Sequence, residues 1–277
     1  QVPFVHDNLE VAILLIVFWL LDLRLVRDRP SETGFADIAL GDATDGDSGP
    51  RLGAAKVFSM MLRNPVIVTI AMVEFCSGFF RQSIMQWFKI FVKQTDATLG
   101  LKSSFVYEKW GLLLCVAGIL GGVVAGFISD HLFQSRRGPV AGFLYGLMLV
   151  GSGVLLFAYA TPMVGWLMIV LSMAVIGVHG MLSGTASMDF GGARNAGVAV
   201  GIIDGFVYLG TAVMSFTYGR ILPKETLDAS GHLTGAATDP ANWRPWPLAM
   251  IVVSAAGLLL AIRLWNAKPR PGGAAGH

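Results

Sequence analysis

Five ionisable residues stand in stretches otherwise composed of Leu, Val, Ile, Phe and small residues: Glu74, Arg81, Lys89, His179 and Asp204. Arg81, in "GFFRQSIMQW", has a guanidinium that stays charged and whose donor fork matches a carboxylate or a phosphate. Counted at 1.5 Å per residue from Asn64, it falls about halfway along its apolar stretch. An arginine at that depth costs roughly 3 kcal/mol on insertion scales, so it must face a polar cavity or a partner. It either binds an anionic ligand or pairs with an acid on another helix. Glu74 lies two turns earlier on nearly the same face, roughly 10 Å along the axis, too far for direct contact but able to share a water-filled cavity.

Lys89 either snorkels outward or adds a second cation that draws an anion in. His179, in "IGVHGMLSGTASMDF", is followed by Ser183, Thr185 and Ser187. It is a packing residue or one that binds an anion through its protonation. Asp204, in "VGIIDGFVYLG", is expected to be a counter-ion to Arg81 or Lys89, because an unpaired carboxylate among helices is expensive. In "GFISDHLFQSRRGP", Asp130 precedes Arg136 and Arg137 at a helix boundary. Such an acid and base pair can tie neighbouring helix ends by charge and helix-dipole contacts, or belong to a plain solvated turn. No nucleophile elbow, zinc-ligand spacing or phosphate-cradling Gly-Lys loop occurs, so enzyme readings lack support and no cofactor is expected.

The elements that must position these residues are membrane helices. The 277 residues are 54% hydrophobic and 14% charged, too apolar for a solvated surface. Blocks of about 20 apolar residues recur at Leu9 to Val26, Pro65 to Val92, Trp110 to Ser129, Pro139 to Ala160, Pro162 to Ser187, Ala196 to Gly219 and Pro247 to Trp265. They predict seven helices. Cys76 and Cys115 both fall within spans, which reads as burial rather than as a disulfide or metal site. The net charge of +2 gives no basis for nucleic-acid binding.

With the C-terminus inside, Arg24, Arg27, Arg29, Arg51, Lys56, Arg63, Arg136, Arg137, Arg194, Arg263, Lys268 and Arg270 fall at cytoplasmic ends, twelve in all. Lys93, Lys102, Lys109, Arg220, Lys224 and Arg244 make six outside. The positive-inside rule favours that orientation. An odd helix count and Gln1 at the start predict a truncated chain that lacks several upstream helices.

A polar linker with Asp37, Asp42, Asp45 and Asp47 follows the first span and ends in a short amphipathic helix over Lys56 to Arg63. Thr95 to Lys109 reads as an external polar loop, and Arg220 to Pro245 as an irregular connection rather than a cap. Gly118, Gly122 and Gly126, and Gly197, Gly201 and Gly205, recur four apart and are expected to pack helices closely.

Four segments resemble the major facilitator superfamily, and within it the organophosphate:phosphate antiporters. "LVRDRPSETG" is similar to the segment after the sixth helix, and "NPVIVTIAMVEFCSGFFRQSIMQW" to the seventh helix, with Trp87 six residues beyond Arg81. "GGVVAGFISDHLFQSRRGP" resembles the loop between helices eight and nine, and "ARNAGVAVGIIDGFVYLGTA" the eleventh helix. The resemblance implies an all-α membrane fold, the C-terminal six-helix bundle plus one preceding transmembrane helix. Its domains would be the last helix of an N-terminal half (1–26), a cytoplasmic linker (27–63), the C-terminal half (64–267) and a cytoplasmic tail (268–277).

The resemblance also implies a function: exchange of an organic phosphate, such as glycerol-3-phosphate or a sugar phosphate, for inorganic phosphate by alternating access. Arg81 matches the family arginine that joins a first-helix arginine in holding the phosphate, and Lys89, His179 or Asp204 would help. Asp130, Arg136 and Arg137 would act in gating. The partners implied are the small anionic substrate, the lipid bilayer and the N-terminal half of the same protein, and the location is the bacterial inner membrane. Gln86 stands where the family commonly has an acid, Lys89 where it has a proline, and His179 where a small residue is usual. An additional cation favours a more highly charged or differently shaped phosphate ester. Two alternatives are a phosphate-ester sensor that binds without transport, and a proton-coupled carrier of another organic anion using His179, Glu74 or Asp204.

Overall fold

The computed structural model describes residues 3–27, 30–35, 54–134, 136–186 and 196–266. Asp37, Asp42, Asp45 and Asp47 of the linker, with Arg29, Arg51, Ser187, Arg194, Lys268 and Arg270, lie outside the described residues. Two compact units divide the chain, residues 1–41 and 42–277. The first holds helix α1 (Pro3–Leu25), formed from the first apolar block, and a short 3-10 turn at Pro30–Thr33.

The second unit is a helical bundle. Its elements are α2 (Ala54–Arg63), α3 (Pro65–Met85), α4 (Trp87–Leu99), α5 (Phe105–Glu108), α6 (Trp110–Leu132), α7 (Arg137–Ala158), α8 (Val164–His179), α9 (Ala196–Ile221) and α10 (Pro245–Arg263). Among its described residues, six stretches are long and apolar enough to cross a membrane: Pro65–Leu99, Trp110–Leu132, Arg137–Ala158, Val164–Gly184, Gly197–Ile221 and Pro240–Arg263. They coincide with the remaining six apolar blocks to within a few residues at their ends.

Local chemistry sets the helix limits. Asn64 caps α3, its Oδ1 accepting from the Val66 amide at 3.0 Å, and Pro65 takes the first helical position, where a missing N–H costs nothing. α3 and α4 meet at Gln86 with little break, since the Gln86 amide still donates to the Gln82 carbonyl. The combined rod runs for 35 residues, about 50 Å at 1.5 Å per residue, and so outlasts a bilayer core of about 30 Å. α4 therefore takes in residues 95–99 that the composition assigns to a loop. It stops at Gly100, whose φ of +61° suits glycine best.

Helix α3 is the hub, packed against α8, α9 and α10, while α7 packs on α8 and α10, and α6 on α8. α3 and α9 run parallel: Ile67 clusters with Ala199 and Ile202, Gly78 meets Val207, and the Trp87 Nε1 lies 3.2 Å from Met214 Sδ. Close approach is set by glycines other than those expected. A Cβ on Gly78 would stand 2.0 Å from the Val207 carbonyl oxygen, one on Gly210 2.0 Å from that of Phe75, and one on Gly121 2.3 Å from that of Met173. By contrast a Cβ on Gly122, Gly126, Gly197, Gly201 or Gly205 would meet nothing within 4 Å, and one on Gly118 only the Ile176 side chain at 3.5 Å. Spacing four apart names a helix face but not the neighbour it faces.

Two other expectations change. Cys76 is buried, but Cys115 is on an exposed face of α6. The connection between α9 and α10 is ordered rather than irregular: Thr226–Leu227 and Leu233–Thr234 pair antiparallel, and Trp243 is fully buried against Phe91, ring centroids 5.4 Å apart. Glu225 accepts from Gln94 Nε2 at 2.5 Å and pairs with Lys93 at 3.4 Å, so the connection is fastened onto α4.

Candidate functional site

The site is assembled by three helices, α3, α8 and α9. Arg81 is half-buried on α3 and makes no hydrogen bond or ion pair among the described residues. Glu74, seven residues before it, is 0% exposed and takes the partner that spacing alone does not reveal: His179 Nδ1 on α8, at 2.8 Å from Glu74 Oε2. Glu74 Oε1 has no hydrogen-bond partner among the described residues. The imidazole keeps 27% of its side chain exposed, so with Nδ1 committed inward, Nε2 is the nitrogen left for a ligand.

Immediately after His179 the helix widens into a π-helical segment, Gly180–Ala186. Such wide turns are rare and concentrate where a helix must re-aim its side chains. Here Ser183, four residues beyond His179, reaches α9, and its hydroxyl donates to Asp204 Oδ1 at 2.5 Å. One helix thus meets two acids on two different neighbours. Asp204 makes no ion pair with Arg81 or Lys89 among the described residues, so its observed partner is a hydroxyl rather than the cation its type suggests. A short O–H···O contact to a carboxylate is a charge-assisted bond and lowers the cost of a half-buried acid.

Lys89 is on an exposed part of α4, its ammonium 5.1 Å from the centroid of the Tyr107 ring. This is the geometry of a cation over an aromatic face. Between Lys89 and Arg81 stands Trp87, packed edge-on to Tyr218 with centroids 5.5 Å apart. Tyr145 braces α3 beside Glu74, crossing from α7 to donate its hydroxyl to the Val73 carbonyl at 2.7 Å. Gly257 of α10 gives it room, since a Cβ there would stand 2.0 Å from the Tyr145 ring.

At the α6–α7 turn the Arg137 guanidinium donates to Ser129 Oγ at 3.2 Å, and Arg136 Nε to the Phe133 carbonyl at 3.3 Å. Asp130, between them in sequence, is exposed. The Arg137 contact ties the end of α6 to the start of α7.

The His179 to Glu74 contact is the feature sequence reasoning did not join. Its signal was present: α3 carries one acid, and α8 one ionisable residue. Nothing in the spacing states which of α3's neighbours α8 is. Among the described residues no group of three or more His, Cys, Asp or Glu could hold a metal ion.

Comparison with known proteins agrees with this architecture. The chain is 24% identical over 217 residues to a "Probable hexose phosphate transport protein" of Chlamydia pneumoniae, covering 77% of this chain and 43% of that protein. It is 26% identical over 225 residues to the "Glycerol-3-phosphate transporter" of Bacillus subtilis, covering 76% and 49%. It is 24% identical over 227 residues to the "Membrane sensor protein UhpC" of Salmonella typhimurium, covering 77% and 48%. The match spans less than half the length of each of these relatives. Residues 10–215 match the Major Facilitator Superfamily, and with six apolar helices long enough to span, the chain is an integral membrane protein that belongs to that superfamily.

Proposed function

We propose that the full-length protein carrying this chain is an antiporter that exchanges an organic phosphate, of the glycerol-3-phosphate or sugar-phosphate kind, for inorganic phosphate by alternating access. The observation that carries this reading is Arg81, a half-buried guanidinium in a membrane helix without a carboxylate partner among the described residues. An obligatory cation in that position is stabilised by an anion that is itself present through the cycle. Relatives named for hexose phosphate and glycerol-3-phosphate transport support the class of ligand. His179 offers a second donor, held on Glu74 two turns of α3 from Arg81, Asp204 shapes the α8–α9 wall, and Lys89 draws the anion toward the site. Asp130, Arg136 and Arg137 fix the α6–α7 turn on which one half moves as a body. No covalent step is needed.

In this reading residues 64–267 form the C-terminal transporter half and 27–63 the cytoplasmic linker, with 1–26 closing the N-terminal half and the tail 268–277 cytoplasmic. The facing half supplies the rest of the cavity, and the protein lies in a bacterial inner membrane.

Radiolabelled phosphate counterflow in liposomes tests the reading, with glycerol-3-phosphate or hexose phosphates on the opposite side. Arg81→Ala should abolish exchange. Arg81→Lys, which keeps the charge but loses the fork, should reduce it roughly 10- to 100-fold, the value of one or two charge-assisted hydrogen bonds. Wild-type exchange by a correctly inserted Arg81→Lys protein overturns the assignment. The relative named as a membrane sensor favours a second reading, a phosphate-ester receptor. That reading predicts phosphate binding that depends on Arg81, with no flux.

A further inference from the structure

A fully buried glutamate whose single hydrogen bond goes to a histidine is costly unless the pair carries a proton between its members. Glu74 is such a residue: 0% exposed, Oε2 2.8 Å from His179 Nδ1, Oε1 without a partner among the described residues. The pair has two relevant states. With two protons, whether drawn as carboxylate and imidazolium or as carboxylic acid and neutral imidazole, its net charge is zero and Nε2 carries a hydrogen. With one proton its charge is −1, the remaining hydrogen lies between Nδ1 and Oε2, and Nε2 is an acceptor. The first state presents a donor to an anion. The second presents a lone pair and a negative charge.

We propose that Glu74 is a positioning residue for anion binding: by holding His179 Nδ1 it turns Nε2 to the phosphate, and the pair takes up one proton from solvent when the phosphate binds. The proposal rests on the phosphate-transport reading above and adds a proton linkage to it.

Other ionisable groups stand on the helices around the pair. On α3 they are Cys76 and Arg81; Arg81 is permanently charged, two turns on. On α7 they are Arg137, at the helix start against Ser129, and Tyr145, whose hydroxyl is committed to the Val73 carbonyl. On α9 they are Asp204, held by Ser183, with Tyr208, Tyr218 and Arg220 further along the helix. α10 has no ionisable residue before Arg263, α2 has only Lys56 and Arg63, and α6 has Cys115 on an exposed face, with Asp130 and His131 in its final turn.

The sign of the linkage follows. Low pH favours the two-proton state, so anion affinity is full below the titration of the pair and falls as pH rises through it. The fall approaches tenfold per pH unit for one linked proton. Arg81, always charged, provides the part of the affinity that does not titrate.

The test is phosphate counterflow by the full-length protein from pH 5.5 to 8.5, comparing wild type, Glu74→Gln, Glu74→Asp and His179→Gln at each pH. Dividing each variant by wild type cancels the substrate's own second ionisation. Expected is a KM for phosphate that rises about tenfold or more at neutral pH in Glu74→Gln, with Vmax within a factor of about two. In His179→Gln the KM should lose its excess pH dependence, and in Glu74→Asp the wild-type shape should return in part. A second readout needs no variant to fold: addition of phosphate to wild-type protein in weakly buffered detergent solution near neutral pH should take up protons beyond those that phosphate itself exchanges.

A KM profile in Glu74→Gln or His179→Gln that matches wild type overturns the proposal, as does a loss of Vmax at unchanged KM. So does wild-type phosphate binding with no net proton uptake. Each of these leaves phosphate transport standing. Absence of phosphate binding and exchange by wild type at every pH instead overturns the transport reading itself, and the proton linkage with it.

Discussion

Gly78 and Val207 bring α3 and α9 so close that a Cβ on the glycine would stand 2.0 Å from the valine carbonyl oxygen. Thr211 marks the same crossing, its hydroxyl 3.2 Å from that carbonyl and 3.5 Å from the carbonyl of Gly78. Arg81 follows Gly78 by three residues and Asp204 precedes Val207 by three, so the crossing lies between the two charged levels of the site. A backbone atom cannot yield as a side-chain tip does, and the helices themselves must separate to admit a methyl group.

Gly78→Ala should therefore destabilise the protein by about 1–3 kcal/mol, the usual cost of overpacking. Gly122→Ala and Gly205→Ala, where the added methyl meets nothing within 4 Å, are the controls. Thermal unfolding in detergent should show the first variant melting well below wild type and the controls close to it. Equal melting of all three would refute the close crossing.

Lys89 acts at a distance if its ammonium stays over Tyr107. Lys89→Gln should then raise KM about two- to fivefold at low ionic strength while leaving Vmax unchanged. The difference should vanish near 0.5 M salt, where the screening length falls to roughly 4 Å. A salt-independent loss of Vmax would instead put the amine on the substrate.

Asp204 and Ser183 separate a hydroxyl partner from a cationic one. Asp204→Asn retains an oxygen that can accept from Ser183 and should change stability by less than about 1 kcal/mol. Ser183→Ala removes that donor from a half-buried carboxylate and should cost about 1–3 kcal/mol. Were Asp204 the counter-ion of Arg81, the order would invert, because Asp204→Asn would strand the guanidinium. Melting temperatures of the two variants, measured side by side, give the order directly.

Much of the fold is legible from hydropathy, because a bilayer imposes both a length of about 20 residues and apolar character on each span. The α3 start is equally legible in Asn64-Pro65. Contacts between helices are not, for a reason visible at Glu74. Its nearest cation along the chain is Arg81, yet its partner is His179, more than 100 residues away. Spacing along one helix gives the angle of a side chain about that axis, whereas a hydrogen bond depends on which helix stands at that angle. The glycines make the same point: Gly118, Gly122 and Gly126 form the regular row, while the neighbouring Gly121 touches α8. Ser183 was hidden differently, since a uniform α-helical count does not foresee a wide turn.

That wide turn changes what a deletion would mean. A π-type turn holds one residue more than an α-turn, so the helix beyond it is rotated by about 100° relative to an unbroken ladder. Removing one residue between Gly180 and Leu182 would let the ladder close as an α-helix, and would leave everything that follows at its present angle. His179, upstream, would keep its place on Glu74 and Ser183 its place on Asp204, whereas straightening the wide turn at unchanged length would swing Ser183 off the carboxylate. The segment Gly180–Ala186 is in this sense an angular setting, and the spacing of four between His179 and Ser183 serves two walls instead of one because of it.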